Sequence, residues 1–152
     1  MPLVFVYGPD SLQARMFDRV GACDVVASAV APGFALAFDK PSFRGDVGLA
    51  NLVRRDGERA FGMLYELTRA QIERLEGYYG GYGRDDLDVE VLTLAEGATA
   101  PRQPKATAFL ARRTRGGLPP SPDALADSLR GAIENEAPEA VVHALEALGA
   151  KR

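Results

Sequence analysis

The sequence has one cysteine, Cys23, and one histidine, His143. A lone cysteine cannot close an internal disulfide. One residue of each kind cannot build a structural zinc site either, because such a site takes four nitrogen or sulfur ligands. A Cys–His nucleophile pair is formally open, but His143 falls in a stretch that reads as a surface helix. Acid–base chemistry in this chain therefore has to come from carboxylates, tyrosines or lysines. No uninterrupted apolar run reaches the roughly 18 residues of a membrane-spanning helix. The opening Met1-Pro2-Leu3-Val4-Phe5-Val6-Tyr7 lacks the basic stretch of a signal peptide and goes straight into a strand-like run. A cytoplasmic, reduced-thiol setting is the default expectation. Excess charge of one sign is missing too. Eighteen basic residues against 21 acidic ones give a net charge of −3, with no concentrated positive face for nucleic acid. Neither nucleic acid nor membrane is an expected partner.

What remains is the make-up of a globular domain. The chain has 152 residues, 47% hydrophobic and 26% charged, which excludes disorder, collagen and coiled coil. That length suits one domain spanning 1–152.

Leu3 to Tyr7 is a continuous apolar, β-rich run stopped by Gly8-Pro9-Asp10. Asp10 can cap a helix over 11–19, with Gln13 three residues later in capping-box spacing. Asp24 to Asp39 is strand-like and broken at Pro32-Gly33. Leu49 to Val53 and Ala60 to Leu67 are strands separated by Asp56-Gly57, a hairpin signal that predicts an antiparallel pair. Thr68 to Gln71 forms a capping box for a helix ending at Glu76-Gly77. A glycine- and tyrosine-rich loop follows at 77–83, then strands over 84–94 and 105–111. Ser121-Pro122 starts a helix with Leu125, Leu129, Ala132 and Ile133 as its apolar face. Pro138 starts another, with Val141, Val142, Leu145 and Leu148 inward. Strands come first and helices late, without regular βαβ alternation, so the class is α+β with a mostly antiparallel sheet or barrel.

Three places could carry chemistry. The 77–83 loop invites a phosphate, yet it lacks the Lys-Ser/Thr of a P-loop and follows a helix instead of preceding one. Its bland reading is a surface loop whose tyrosines cover the sheet edge. Glu76 sits at a helix C-terminus, where the dipole disfavours its charge, and burial among the tyrosines that follow would raise its pKa further. Such a carboxyl can serve as general acid or base; otherwise Glu76 is a solvated residue. The turn Tyr7-Gly8-Pro9-Asp10 can present backbone N–H groups to an anion, or be an ordinary β–α turn.

Taken together, these segments resemble the gamma-glutamylcyclotransferase-like (AIG2-like) family. Leu3 to Leu12 is similar to its N-terminal strand and Tyr-Gly-Ser-Asn-Leu loop, with Arg15-Met16 following. Gly48-Leu49-Ala50-Asn51-Leu52 is similar to its Gly-x-Ala-Asn-Ile segment. Ala60 to Leu67 resembles Val-x-Gly-x-Leu-Tyr-Glu-Leu. Leu75-Glu76-Gly77, Gly81-Tyr82 and Arg84 resemble the Leu-Asp-x-x-Glu-Gly…Tyr-x-Arg run that carries the catalytic glutamate. Pro120-Ser121-Pro122 with Leu129 to Ala132 resembles the Pro-Ser-x-x-Tyr…Gly-Ala helix.

The resemblance implies a small mixed, mostly antiparallel β-barrel flanked by helices. The implied reaction is cyclisation of a γ-glutamyl amide to 5-oxoproline with release of the amine. Glu76 would be the general acid/base, and Tyr7, Gly8, Pro9, Asp10, Ser11, Leu12 and Tyr82 would form the substrate site. No metal or cofactor is implied, and the protein would act as a monomer or homodimer on a small-molecule γ-glutamyl substrate. Two departures stand out. Pro9-Asp10 replaces Ser-Asn, which removes an N–H and adds a negative charge. Phe109 and Ala124 stand near positions that are usually aromatic with a hydroxyl or ring. The alternative that the Pro9-Asp10 change favours is a non-catalytic small-metabolite-binding module on the same fold.

Overall fold

The structure, a computed structural model, describes residues 1–150. Six strands form one sheet in the order β4-β6-β1-β3-β2-β5. Their ranges are β1 Leu3–Tyr7, β2 Asp24–Pro41, β3 Gly48–Glu66, β4 Tyr82–Asp88, β5 Glu90–Leu94 and β6 Lys105–Ala111. β1 pairs in parallel with β6, and every other pairing is antiparallel. β4 and β5 lie at opposite ends of this order, yet only Val89 separates them in the chain. The sheet must therefore curl until its two edges meet at Val89, whose N–H donates to the Pro104 carbonyl at 3.0 Å. This is the expected α+β class, with a curled, mostly antiparallel sheet and four helices: α1 Gln13–Val20, α2 Arg69–Glu76, α3 Pro122–Glu134 and α4 Glu139–Ala150.

β1 is buried on both faces, which is why it reads as an unbroken apolar run. Val4 and Val6 face a core shared with Met16 and Val20 of α1 and with Ile72 and Leu75 of α2. Phe5 and Tyr7 face the opposite core, which Leu125, Ala132 and Leu145 of α3 and α4 close. Ile133, expected on the buried face of α3, is 59% exposed instead.

Three other expectations are corrected. The Asp56-Gly57 signal makes no hairpin: the stretches on either side of it, up to Arg54 and from Arg59, both pair with β2 and not with each other. Pro32 pairs with Arg59 and Phe34 with Arg54, so Arg55 to Glu58 bulge outward opposite Gly33. The strand expected over 84–94 divides into two edge strands at Val89. Asp10 does not cap α1, whose first N–H, at Gln13, donates to Glu134 of α3 at 3.0 Å. The capping box of α2 is present as expected, with the Thr68 side chain accepting from Gln71 N–H and the Gln71 side chain accepting from Thr68 N–H.

Candidate functional site

Residues 8–11 form a short 3-10 turn at the C-terminal end of β1. Gly8 has φ +60°, and a Cβ there would lie 2.9 Å from the Cβ of Ala50, so glycine is required on both conformational and steric grounds. From the other side the backbone of α3 presses on the turn, and a Cβ at Gly131 would lie 2.3 Å from Ser11 Oγ. The turn is thus wedged between β3 and α3, and it directs Asp10 inward.

Asp10 is 1% exposed and forms the hub of a polar cluster. Its Oδ1 accepts from Arg15 Nε at 3.1 Å, and its Oδ2 accepts from Arg19 Nη1 at 2.8 Å. The Tyr79 hydroxyl also donates to Oδ2. Arg15 and Arg19 stand one helical turn apart on α1, so a single face of that helix supplies both guanidiniums. Arg15 is shared with Asp127 of α3 at 2.9 Å. The Tyr79 ring stacks on Phe109 at 4.8 Å and meets Tyr82 edge-on at 4.9 Å. The Tyr82 hydroxyl donates to the Ala50 carbonyl at 2.6 Å, and the Tyr7 hydroxyl to the Phe109 carbonyl. Burial, reinforced by the Asp10 charge, pushes the pKa of Tyr7, Tyr79 and Tyr82 up. These phenols stay protonated and act as donors.

A cleft of about 160 Å³ opens over this cluster, walled by Tyr7, Pro9, Asp10, Arg15, Arg19, Tyr79, Tyr82 and Ala124. Arg19 stands out among them. Its guanidinium lies 4.9 Å from the Tyr78 ring centroid, and apart from the bond to Asp10 its N–H groups donate to no protein atom among the described residues. A guanidinium over aromatic faces with donors to spare suits an anionic group on a small ligand.

Of the expected site residues, the structure brings Tyr7, Pro9, Asp10 and Tyr82 together in the cleft. Gly8, Ser11 and Leu12 do not line it. Gly8 shapes the turn, Ser11 Oγ donates to the Gly8 carbonyl at 2.6 Å, and Leu12 leads into α1. Glu76 is the main correction. It lies on the surface, and its two carboxylate oxygens accept from Arg84 Nε at 2.8 Å and Nη2 at 2.9 Å. Those hydrogen bonds hold its pKa below the usual carboxylate value, the reverse of the shift expected from burial. The residue that enters the cleft from this segment is Tyr79, and the spacing of the motif allowed it to be found. Setting Leu75-Glu76 on the Leu-Asp of Leu-Asp-x-x-Glu-Gly places Tyr79-Gly80 on the Glu-Gly, with Tyr82 and Arg84 still in step. In that register Glu76–Arg84 is the outer ion pair, and a tyrosine stands where the resemblance expects the glutamate. Arg15 and Arg19 were also missed; their signal was the one-turn spacing after an acid.

No protein-family model matches the chain, and no curated relative matches it. Solved structures do. A gamma-glutamyl cyclotransferase superposes with a TM-score of 0.81 at 20% identity, over 96% of this chain and 86% of that one. A human protein described as uncharacterised gives 0.80 at 22% identity, over 95% and 86%. A mouse AIG2-like protein gives 0.56 at 18% identity, over 82% of each chain. With its turn, cleft and curled sheet in place, the chain has the gamma-glutamyl cyclotransferase fold.

Proposed function

We propose that this protein is a binding module that takes a small carboxylate-bearing metabolite of the γ-glutamyl type into the cleft over Asp10. The observation that carries this reading is a fully engaged carboxylate, Asp10, beside a cation, Arg19, that keeps donors to spare after its bond to Asp10. Asp10 already accepts from three donors, while Arg19 has donors facing the cleft. A ligand carboxylate completes Arg19.

A second reading, cyclisation of a γ-glutamyl amide, is favoured by one observation: Asp10 is a carboxylate in the cleft. In that reaction the α-amine attacks its own γ-carbonyl, a five-membered ring closes and the amine leaves. Holding the folded conformer is the larger part of such catalysis. A general base must also reach the α-ammonium. At Asp10 the ammonium would first have to displace a guanidinium or the Tyr79 hydroxyl. Glu76 would have to leave Arg84 and turn in from the surface.

Calorimetric titration with glutathione, γ-glutamylalanine and a γ-glutamyl amine, with 5-oxoproline followed by mass spectrometry, separates the readings. Binding without 5-oxoproline, weakened about tenfold by Arg19→Gln, is the expected result. Formation of 5-oxoproline that Asp10→Asn abolishes would establish the second reading. Absence of binding by every compound would refute both.

A further inference from the structure

The geometry points to a second anion site, behind the Tyr82 ring, that takes a phosphate-type group. Lys40, Pro41, Gly81, Arg112 and Arg113 wall a separate cavity of about 310 Å³. Its three charged side chains are all cationic, in a chain whose net charge is −3. Among the described residues, none of the three belongs to a salt bridge. Lys40 Nζ donates to the Pro41 carbonyl at 3.1 Å and retains further donors. The acids close by are already engaged. Asp39, the residue before Lys40, accepts from Asn51 Nδ2 at 2.9 Å, and Glu76, whose carboxyl feels the Arg112 charge, is held by Arg84.

The backbone is arranged to leave the cations room. Gly81 has φ +85°, and a Cβ there would lie 3.0 Å from Lys40 Cε and 3.2 Å from its Nζ. A Cβ at Gly83 would lie 3.0 Å from Arg112 Nε. The Arg112 N–H donates to the Gly81 carbonyl at 3.0 Å, which fixes the base of the arginine to the loop. Any larger residue at 81 or 83 would push a cation off the cavity. The glycine-rich loop is thus a wall of this cavity through its lack of side chains. Two neighbouring guanidiniums and an ammonium suit the several oxygens of a phosphate better than the two of a carboxylate.

Tyr82 lines the cleft over Asp10, and Lys40 Nζ, from the wall of the second cavity, lies 5.8 Å from its ring centroid. The phosphate could arrive as the free anion or as the tail of a molecule whose amino-acid head occupies that cleft. The shared chemistry is a phosphate dianion, and the two sources can be told apart.

Titration of the full chain with inorganic phosphate and with O-phosphoserine, followed by amide chemical shifts at constant ionic strength, tests the site. The expected result is saturable binding with shifts centred on Lys40, Gly81 and Arg112. Arg112→Gln with Arg113→Gln should weaken it tenfold or more. Arg54→Gln, which removes a cation from an exposed site that only stacks on Phe34, should leave it unchanged. Tighter binding of phosphoserine that Arg19→Gln reverses identifies the tail source, and equal binding of the two probes identifies the free anion. Shifts that do not saturate, or that Arg54→Gln reduces as much as the double variant, overturn the proposal. The result for phosphate stands whether or not γ-glutamyl compounds bind the first cleft.

Discussion

Asp10 and Glu76 are both carboxylates bonded to arginine, and they differ in almost everything else. Asp10 is buried and serves two guanidiniums from α1 and a phenol from the loop after α2. Glu76 serves one arginine, eight residues away, with both side chains about half exposed. The bidentate geometry at Glu76 is the better formed of the two, but solvent screens it, and exposed pairs contribute little to stability. At Asp10 the geometry is divided and the burial is complete, so losing one partner strands the others. Position relative to water, more than the quality of one pair, decides which cluster matters.

The largest expected difference appears at high pH. Tyr7, Tyr79 and Tyr82 around Asp10 have raised pKa values in the folded state, so the unfolded chain releases their protons first as pH passes about 10. Stability is therefore intact below that pH and falls above it. Together the three should cost a few kcal/mol by pH 11. Denaturant melts at pH 8 and pH 11 measure this. The Glu76 carboxyl has the opposite sign: its lowered pKa gives stability above the unfolded carboxylate pKa that is lost as pH falls. Solvent screening of that half-exposed pair should keep the acid limb shallow.

Asp10→Ala should destabilise by about 2–4 kcal/mol, somewhat below the usual penalty for breaking a buried pair because both arginines reach solvent. Thermal melts report it as a drop of several degrees. Tyr79→Phe keeps the stack on Phe109 and removes one donor from Asp10, so a loss of about 1 kcal/mol is expected. If Tyr79→Phe costs as much as Asp10→Ala, the hub is the tyrosine and not the carboxylate. Glu76→Gln should leave both the melting temperature and the affinity of the cleft for any ligand unchanged. A tenfold loss of affinity there would place Glu76 back in the site.

Local signals in the sequence were read correctly where the information is local. The apolar run at 3–7, the Thr68–Gln71 box and the Ser121-Pro122 start need only neighbouring residues, and each is present. Asp56-Gly57 failed as a hairpin signal because the strand stretches on both sides of it find their partner in β2, which no local signal reveals. The two-edged path of 82–94 could not be read, since strand order depends on contacts distant in sequence. Of the residues that line the cleft, Tyr7, Pro9, Asp10 and Tyr82 were singled out through the resemblance. Glu76 was expected among the tyrosines because Glu-Gly occurs at 76–77, but it lies outside the cleft, paired with Arg84. A helix residue's side of its axis decided the matter: Leu75 is fully buried, so its neighbour Glu76 points outward.

The seam at Val89 bears on how copies of this chain behave toward one another. An open sheet offers two rows of unpaired backbone groups to a second molecule. Here the flank of β5 is partly occupied, since the Val91 N–H donates to the Arg102 carbonyl just as Val89 does to Pro104. On the other flank β4 sets Asp85, Asp86 and Asp88 in the open. A second copy adding there antiparallel would bring like charges face to face. The short passage between two edge strands thus doubles as a guard against strand-to-strand polymerisation.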